Sequence, residues 1–350
     1  MNIATIPRRG GTAQRMQVID PLGDTVFEAT IGTLPDLLGP GDVVVVNDAA
    51  TIPASLRGRI AGHEVEVRLA GPPEHELWPA VLLGAGDWRT DTDRREAPPE
   101  VAIGDALVLD DGTVVEIAGI YPLSSRHVAL RFPTDLAAAW STIFRVGRPI
   151  QYAYMQRDVL PSEVQTRYAG RPWAVEMPSA GRPIGIDTLV ALRRRGVKVV
   201  ALTHAAGLSA TGDAHIDAAL PLPERYEIPA ETVNAIARAK ATGGRVVAVG
   251  TSVVRALEAS ASMHTGRCVA GRGVATIILG PSTRRAVVDA VLAGVHEPGT
   301  SHHALLGAFA PPDLLARAHE LAVATGLTIH EFGDSTLVLP GAATHHRRAA

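Results

Sequence analysis

The segment GRVVAVGTSVVRALE, residues 244–258, combines a glycine, two hydroxyl side chains and an arginine in a spacing suited to binding an anion. Its β-branched run at 245–249 predicts a buried strand, and Gly250-Thr251-Ser252 predicts a turn into a helix capped by Ser252. Such a turn directs free backbone N–H groups and the positive helix end toward one point, which Arg255, one turn further on, can also reach. The segment predicts a site for a carboxylate or phosphate. The alternative is an ordinary strand–helix connection whose arginine caps a neighbouring segment.

Two further segments carry residue types suited to ligand binding or proton transfer. Ser179-Ala180-Gly181 precedes a predicted helix, and its small residues would let a ligand approach the backbone. A plain turn is the alternative. His204 follows a strand predicted for residues 197–202, at the strand end where α/β folds gather ligands. Its imidazole could transfer a proton near neutral pH or make a structural hydrogen bond.

Glu224 and His296 complete the candidate chemistry. Glu224 and Glu227 flank Tyr226 just before a predicted helix. Their carboxylates could hold a sulfonium or an amine, or could interact with the N-terminus of that helix. His296 lies just before a helix predicted for residues 301–309, and it is a second candidate for proton transfer.

The cysteine and histidine spacings predict no metal site and no internal disulfide. Cys268 is the single cysteine, and the 13 histidines show no HExxH or CxxC-type spacing. His302 and His303 are adjacent, so we expect their side chains to point in different directions on their helix.

Composition predicts a globular cytoplasmic protein of about two domains. The chain has 350 residues, of which 46% are hydrophobic and 20% charged, and a net charge of −3. The N-terminal segment lacks the apolar region of a signal peptide, and no apolar run reaches the length of a membrane span. Basic residues are scattered apart from Arg193-Arg194-Arg195, which gives no support for a broad nucleic-acid surface.

Hydrophobic patterning predicts an α/β fold whose main domain is interrupted by a small antiparallel β-barrel. Short alternating runs between residues 57 and 145 are separated by Gly, Pro and Asp, as in a barrel or sandwich. The flanks, residues 1–56 and 146–340, read as one discontinuous α/β domain, and 341–350 as a disordered tail. Within the flanks, the pattern predicts strands at 42–46 and 275–279 and helices at 186–195 and 313–325. It also predicts a helix from Pro229 to 242, and it leaves 287–295 open between strand and helix.

Five segments resemble the S-adenosylmethionine:tRNA ribosyltransferase-isomerases of queuosine biosynthesis. They match in order and spacing along nearly the whole chain: LPDLLGPGDVVVVNDAATIPASL, VQTRYAGRPWAVEMPSAG, YEIPAETVNAIARAKATGGRVVAVGTSVVRALE, AVVDAVLAGVHEPGTS and FGDSTLVL. The resemblance implies an α/β domain interrupted by a β-barrel. It also implies an unusual use of S-adenosylmethionine, whose ribosyl part is rearranged and transferred to an aminomethyl-deazaguanine in tRNA, with release of adenine and methionine.

That reaction needs an anion site for the methionine carboxylate, a base beside the sulfonium and an acid to assist adenine departure. The resemblance therefore implies that Gly250-Thr251-Ser252 and Arg255 bind the carboxylate, with Ser179-Ala180-Gly181 as a further part of the S-adenosylmethionine site. His204, Glu224 and His296 are the candidates for base and acid, with no metal involved.

The chain departs from the family pattern at several polar positions. Where the family has Thr-Ala-Gly-Leu-His-Phe, residues 179–184 read Ser-Ala-Gly-Arg-Pro-Ile, and Leu222 stands where the family has a second histidine. Ala49-Ala50 replaces Thr-Arg, Ser55 replaces an arginine and Gly299 replaces a lysine. These losses predict a divergent paralogue that uses S-adenosylmethionine with a small-molecule acceptor in place of tRNA. The alternatives are the family reaction on tRNA and a non-catalytic binder of an adenosyl ligand.

Overall fold

The computed structural model describes residues 1–8 and 10–344, and it confirms the predicted α/β fold with a β-barrel. Nine strands form one mixed sheet, and six form a closed barrel. Residues 345–350 of the predicted disordered tail lie outside the described residues. The division of the chain into domains at residues 57 and 145 remains a prediction.

The strands are β1 (Asn2–Ile3), β2 (Arg15–Asp20), β3 (Thr25–Thr30), β4 (Val43–Asn47), β5 (Ala49–Thr51), β6 (Ser55–Ile60), β7 (His63–Leu69), β8 (Leu77–Leu83), β9 (Ala106–Leu109), β10 (Val114–Ile120), β11 (His127–Arg131), β12 (Arg171–Ala174), β13 (Lys198–His204), β14 (Glu224–Ile228), β15 (Val246–Val249), β16 (Gly271–Ala275), β17 (Ala290–Gly294), β18 (Thr328–Ile329) and β19 (Ser335–Val338). The α-helices are α1 (Leu34–Leu37), α2 (Leu136–Val146), α3 (Ile186–Arg194), α4 (Ala214–Ala218), α5 (Ala230–Ala241), α6 (Thr251–Met263), α7 (Ser301–Leu306) and α8 (Pro312–Thr325).

The main sheet has the strand order β16-β14-β13-β4-β15-β17-β19-β2-β3. Its centre, β13-β4-β15-β17, is parallel, so the carboxyl ends of these four strands meet at one edge. In β4, Val43 and Val45 pack into the core on one face, while Val44 and Val46 pack into the core on the other. The continuous apolar runs in the sequence reflect this burial on both faces.

The barrel has the strand order β10-β11-β8-β7-β6-β9, and all its pairings are antiparallel. Its first strand begins at Ser55, two residues before the predicted boundary. Trp78 is buried inside it and packs edge-on against Trp140 of α2, with ring centroids 4.6 Å apart. Alternation of apolar and polar residues therefore identified the barrel correctly, because one face of each strand lines its core.

Several predicted element boundaries are wrong. Gly250, with φ of 98°, caps α6 in place of Ser252, because this turn needs a backbone conformation that glycine adopts readily. Pro229 is likewise the cap of α5 and not its first residue. A strand was predicted for 275–279, but β16 covers Gly271–Ala275. Residues 287–295, for which the sequence did not decide between strand and helix, contain the strand β17. Glu224 and Glu227 do precede a helix as predicted, since they lie within β14 and α5 begins two residues after that strand ends.

Candidate active site

The carboxyl ends of the four central parallel strands bring together residues that are far apart in the sequence. Asn47 ends β4 and His204 ends β13, while Gly250 follows β15 and His296 follows β17 by two residues. Ligand sites of open α/β sheets lie at this edge. The predicted site residues on these strands therefore share one region of the fold.

His204 is fully buried at the end of β13. Its backbone is fixed by Asn47, whose side-chain oxygen accepts the His204 N–H at 2.9 Å and whose amide donates to the His204 carbonyl at 3.0 Å. Neither ring nitrogen has a hydrogen-bond partner among the described residues, and Nε2 lies 3.4 Å from a Glu224 carboxylate oxygen. Burial, together with the nearby Arg255 charge, lowers the pKa of His204 to about 3. The imidazole is therefore neutral at physiological pH.

Arg255 is paired with Glu224. Its guanidinium forms a buried ion pair with the Glu224 carboxylate and donates to the carbonyl of Ala275 at 3.0 Å and of Ile277 at 3.3 Å. Only 5% of Arg255 is exposed, and burial lowers its pKa to about 10. Arg255, which the sequence predicted to bind a ligand carboxylate, is therefore paired with the carboxylate of Glu224. Its carbonyl partners lie at the end of β16 and in the chain that follows it.

The two glycine-containing turns predicted to bind S-adenosylmethionine are neighbours. A Cβ atom placed at Gly250 would lie 3.7 Å from the Cβ of Ala180 and 3.4 Å from Oγ of Ser252. Ser179–Gly181 forms a single 3₁₀ turn, and the first-turn N–H groups of α6, including those of Thr251 and Ser252, have no intrahelical partner. Backbone donors and small side chains thus face each other across these turns.

His296 lies beside a second imidazole that sequence reasoning did not select. The rings of His296 and His302 stack with centroids 4.8 Å apart and planes 16° apart. Burial, together with the nearby His302, His303 and His330, lowers the pKa of His296 to about 3. His302 therefore belongs to the candidate site. In the sequence it was considered only together with the adjacent His303, as a possible metal pair.

A cavity lined by tyrosines and carboxylates adjoins this region and was also missed. Tyr152 donates a hydrogen bond to Glu176, and Tyr154 donates one to Glu331. Burial raises the pKa of both carboxyl groups, and the charge of Glu331 raises that of Glu176 further. Tyr154 also stacks on His330, with ring centroids 4.2 Å apart, and this contact links the cavity to His296.

This tyrosine–carboxylate cavity borders the barrel. It shares Gln151 and Val159 with a neighbouring cavity of about 210 Å³, which Arg57 and Trp88 of the barrel segment help to line. On the barrel side, the Arg68 guanidinium lies 5.4 Å from the centroid of the Tyr152 ring. The candidate site therefore extends from the sheet edge to the barrel.

Among residues 1–8 and 10–344, no group of three His, Cys, Asp or Glu side chains is arranged to hold a metal ion. None of the helices within these described ranges is long and apolar enough to cross a membrane.

Comparison with known proteins gives the family. The family model described as "Queuosine biosynthesis protein" matches residues 1–338. A protein of Azoarcus sp. (strain BH72), named S-adenosylmethionine:tRNA ribosyltransferase-isomerase, is 33% identical over 343 residues, covering 96% of this chain and 93% of that protein. A protein of the same name from Thermus thermophilus is 35% identical over 330 residues, covering 90% of this chain and 89% of that protein.

A solved structure supports the fold. The S-adenosylmethionine tRNA ribosyltransferase of Thermotoga maritima superposes with a TM-score of 0.52 at 23% identity, over 96% of each chain. The family match spans nearly the entire sequence, and the Azoarcus and Thermus relatives each exceed 30% identity over most of their length. The chain therefore belongs to the queuosine biosynthesis protein family.

Proposed function

We propose that this chain is an enzyme that rearranges and transfers the ribosyl part of S-adenosylmethionine, with release of adenine and methionine. The relatives in Azoarcus and Thermus carry the name of this activity. The observation that carries the proposal is the neutral, fully buried His204, whose Nε2 lies 3.4 Å from the ion-paired Glu224 at the strand-end edge. A buried imidazole without hydrogen-bond partners is a candidate for proton transfer to or from a ligand.

The residues at the sheet edge fit S-adenosylmethionine as a co-substrate. The first-turn N–H groups at Thr251 and Ser252 offer donors to the methionine carboxylate, as helix N-termini do for anions. Gly250 and Ala180 lack bulky side chains, so a ligand can approach both turns closely. When bound, the sulfonium acidifies the neighbouring C–H bond, and a base of this chain must take that proton.

His204, Glu224 and His296 are the proposed proton-transfer residues. His204 and His296 both have a pKa of about 3, so each imidazole is neutral at physiological pH and keeps a lone pair on one ring nitrogen. Glu224 forms an ion pair with Arg255 and thus serves as a charge partner. His296 stacks on the exposed His302, which suits its neutral imidazole to relay a solvent proton, accepting at one ring nitrogen and donating from the other as adenine departs.

The proposed acceptor is a small amine or nucleobase. The acceptor would occupy the cavity of about 210 Å³ at the barrel, beside the two carboxyl groups and two tyrosine rings of the adjoining cavity of about 20 Å³, a chemistry that attracts organic cations. Ala50 and Gly299 supply no cation where the family pattern has an arginine and a lysine, so phosphate contacts are fewer. Transfer to tRNA is the second candidate, and the names of the relatives favour it.

The experiment compares acceptors directly. The protein is incubated with S-adenosylmethionine alone, with small primary amines and free aminomethyl-deazaguanine, and with tRNA carrying that base, while adenine is measured by mass spectrometry. We expect adenine release without tRNA and a weak gel shift with tRNA that disappears as salt is raised. His204→Gln should slow adenine release roughly 10²–10⁴-fold, whereas the exposed His215→Gln should leave it unchanged. Tight tRNA binding with tRNA-dependent release would establish the second candidate.

A third outcome is also distinguishable. A protein that binds S-adenosylmethionine in calorimetry but releases no adenine with any acceptor would be a non-catalytic binder, and the proposed function would be wrong.

A further inference from the structure

Three side chains from three elements form a line at the sheet edge: Arg255 on α6, Glu224 on β14 and His204 on β13. Arg255 contacts Glu224, and Glu224 faces His204. The sequence separates Arg255 from Glu224 by 31 positions, and the fold brings them together in a buried ion pair. Such a line resembles the arrangement in which a carboxylate orients a catalytic imidazole.

The Glu224 carboxylate is fixed at both oxygens. Oε1 accepts the Gly207 N–H at 2.6 Å, and Oε2 accepts the Arg255 guanidinium. A Cβ atom at Gly207 would lie 3.0 Å from Oε1, so a side chain at this position would crowd the carboxylate. The carboxylate is therefore held in one orientation by groups that are themselves fixed.

The orientation of Glu224 makes the two nitrogens of His204 inequivalent. Neither nitrogen makes a hydrogen bond among the described residues, but Nε2 lies 3.4 Å from an oxygen of the Glu224 carboxylate, whereas Nδ1 has no ion-pair partner there. A carboxylate beside one ring nitrogen favours the tautomer that carries its proton there. Nδ1 then keeps a free lone pair.

We propose that Arg255 and Glu224 are positioning residues that hold His204 in the Nε2–H tautomer, so that Nδ1 is the base of the reaction. This inference rests on the proposed function and assigns the roles within its site. When the C–H bond beside the sulfonium breaks, its proton forms a bond to Nδ1, and the electron pair stays on carbon. Glu224 stays paired with Arg255 throughout, and its charge stabilises the imidazolium that forms.

The tautomer can be measured without any turnover. Long-range ¹H–¹⁵N NMR of the full-length protein, with His204 assigned by its loss in His204→Gln, reports which ring nitrogen carries the proton. We expect the Nε2–H form in the wild type and a mixture of tautomers in Glu224→Ala. An Nδ1–H form in the wild type would overturn the inference even if adenine release proves the proposed function.

Steady-state kinetics distinguish a positioning role of Glu224 and Arg255 from a purely structural one. General-base catalysis contributes roughly 10²–10⁴-fold to rate, so His204→Gln and Glu224→Gln should lower kcat by amounts of that order with little change in KM for S-adenosylmethionine. Arg255→Lys, which keeps the charge, should restore most of the kcat lost in Arg255→Met. If Arg255→Met fails to fold, Arg255→Lys and Glu224→Gln carry the test. An unchanged kcat in folded Glu224→Gln, or a loss confined to KM, would overturn the assignment.

Discussion

The close approach of Gly181 to Tyr168 gives a prediction about the turn that we propose binds S-adenosylmethionine. A Cβ atom at Gly181 would lie 2.1 Å from the Tyr168 hydroxyl oxygen and 3.3 Å from Cγ2 of Thr166. The Tyr168 hydroxyl is buried and has no hydrogen-bond partner among the described residues. Gly181→Ala therefore forces the tyrosine or the turn to move.

The expected magnitudes follow from these contacts. Overpacking of this kind costs about 1–3 kcal/mol, so Gly181→Ala should lower the free energy of unfolding by that amount. Tyr168→Phe removes an unpartnered buried hydroxyl, whose burial is unfavourable by about 1–3 kcal/mol, and should therefore raise stability. The double variant should recover most of the loss, because without the hydroxyl the nearest ring atom, Cζ of Tyr168, lies 3.2 Å from the new methyl group and needs to shift by only a few tenths of an ångström.

Urea denaturation with matched controls measures these differences. Gly170→Ala is the control, because a Cβ atom there would meet nothing within 4 Å. Calorimetry should also show weaker S-adenosylmethionine binding by Gly181→Ala, since the turn shifts relative to Gly250. A Tyr168→Phe variant that is less stable than the wild type, or a Gly181→Ala variant that matches Gly170→Ala, would refute the reasoning.

Buried carboxyl groups give three further predictions. Burial alone would raise the pKa of Glu66, but the Arg68 charge and the arginine hydrogen bonds outweigh it and lower that pKa. The free energy of unfolding should therefore fall as pH drops below 4.5, and a urea titration of Glu66→Gln should show a smaller fall. Glu258→Ala should cost more than about 3 kcal/mol in urea denaturation, because three backbone N–H groups donate to that carboxylate at 2.8–3.0 Å. Glu176→Gln combined with Glu331→Gln should raise KM for an amine acceptor and leave S-adenosylmethionine affinity unchanged in calorimetry. Equal KM values for the wild type and the double variant would contradict the placement of the acceptor beside Glu176 and Glu331.

Much of the fold could be predicted from the sequence because its signals are local. The runs at 43–46 and 246–249 are apolar throughout, since each lies in a strand buried on both faces. The alternating runs between 57 and 145 are local in the same way, because each barrel strand has one face in the core. The predicted ends of helices were wrong where a single backbone angle decides them, as at Gly250 before α6.

The candidate site was less predictable because its contacts are long-range. Sequence reasoning selected Arg255 and Glu224 separately, but their pairing depends on the antiparallel edge strands β14 and β16, which no local pattern specifies. The hydrogen bond between Tyr154 and Glu331 spans 177 positions. Neither residue belongs to a motif whose spacing indicates chemistry, so the cavity that they line could be found only from the structure.

The fate of isotopic labels in S-adenosylmethionine tests the central claim most directly. The protein is incubated with S-adenosylmethionine that carries ¹³C in either the methyl group or the ribose, together with a panel of acceptors, and the products are resolved by mass spectrometry. The account predicts methyl-labelled methionine, free adenine and ribose label in a new product, all strongly reduced in His204→Gln. Methyl label in an acceptor, with S-adenosylhomocysteine as the second product, would contradict it.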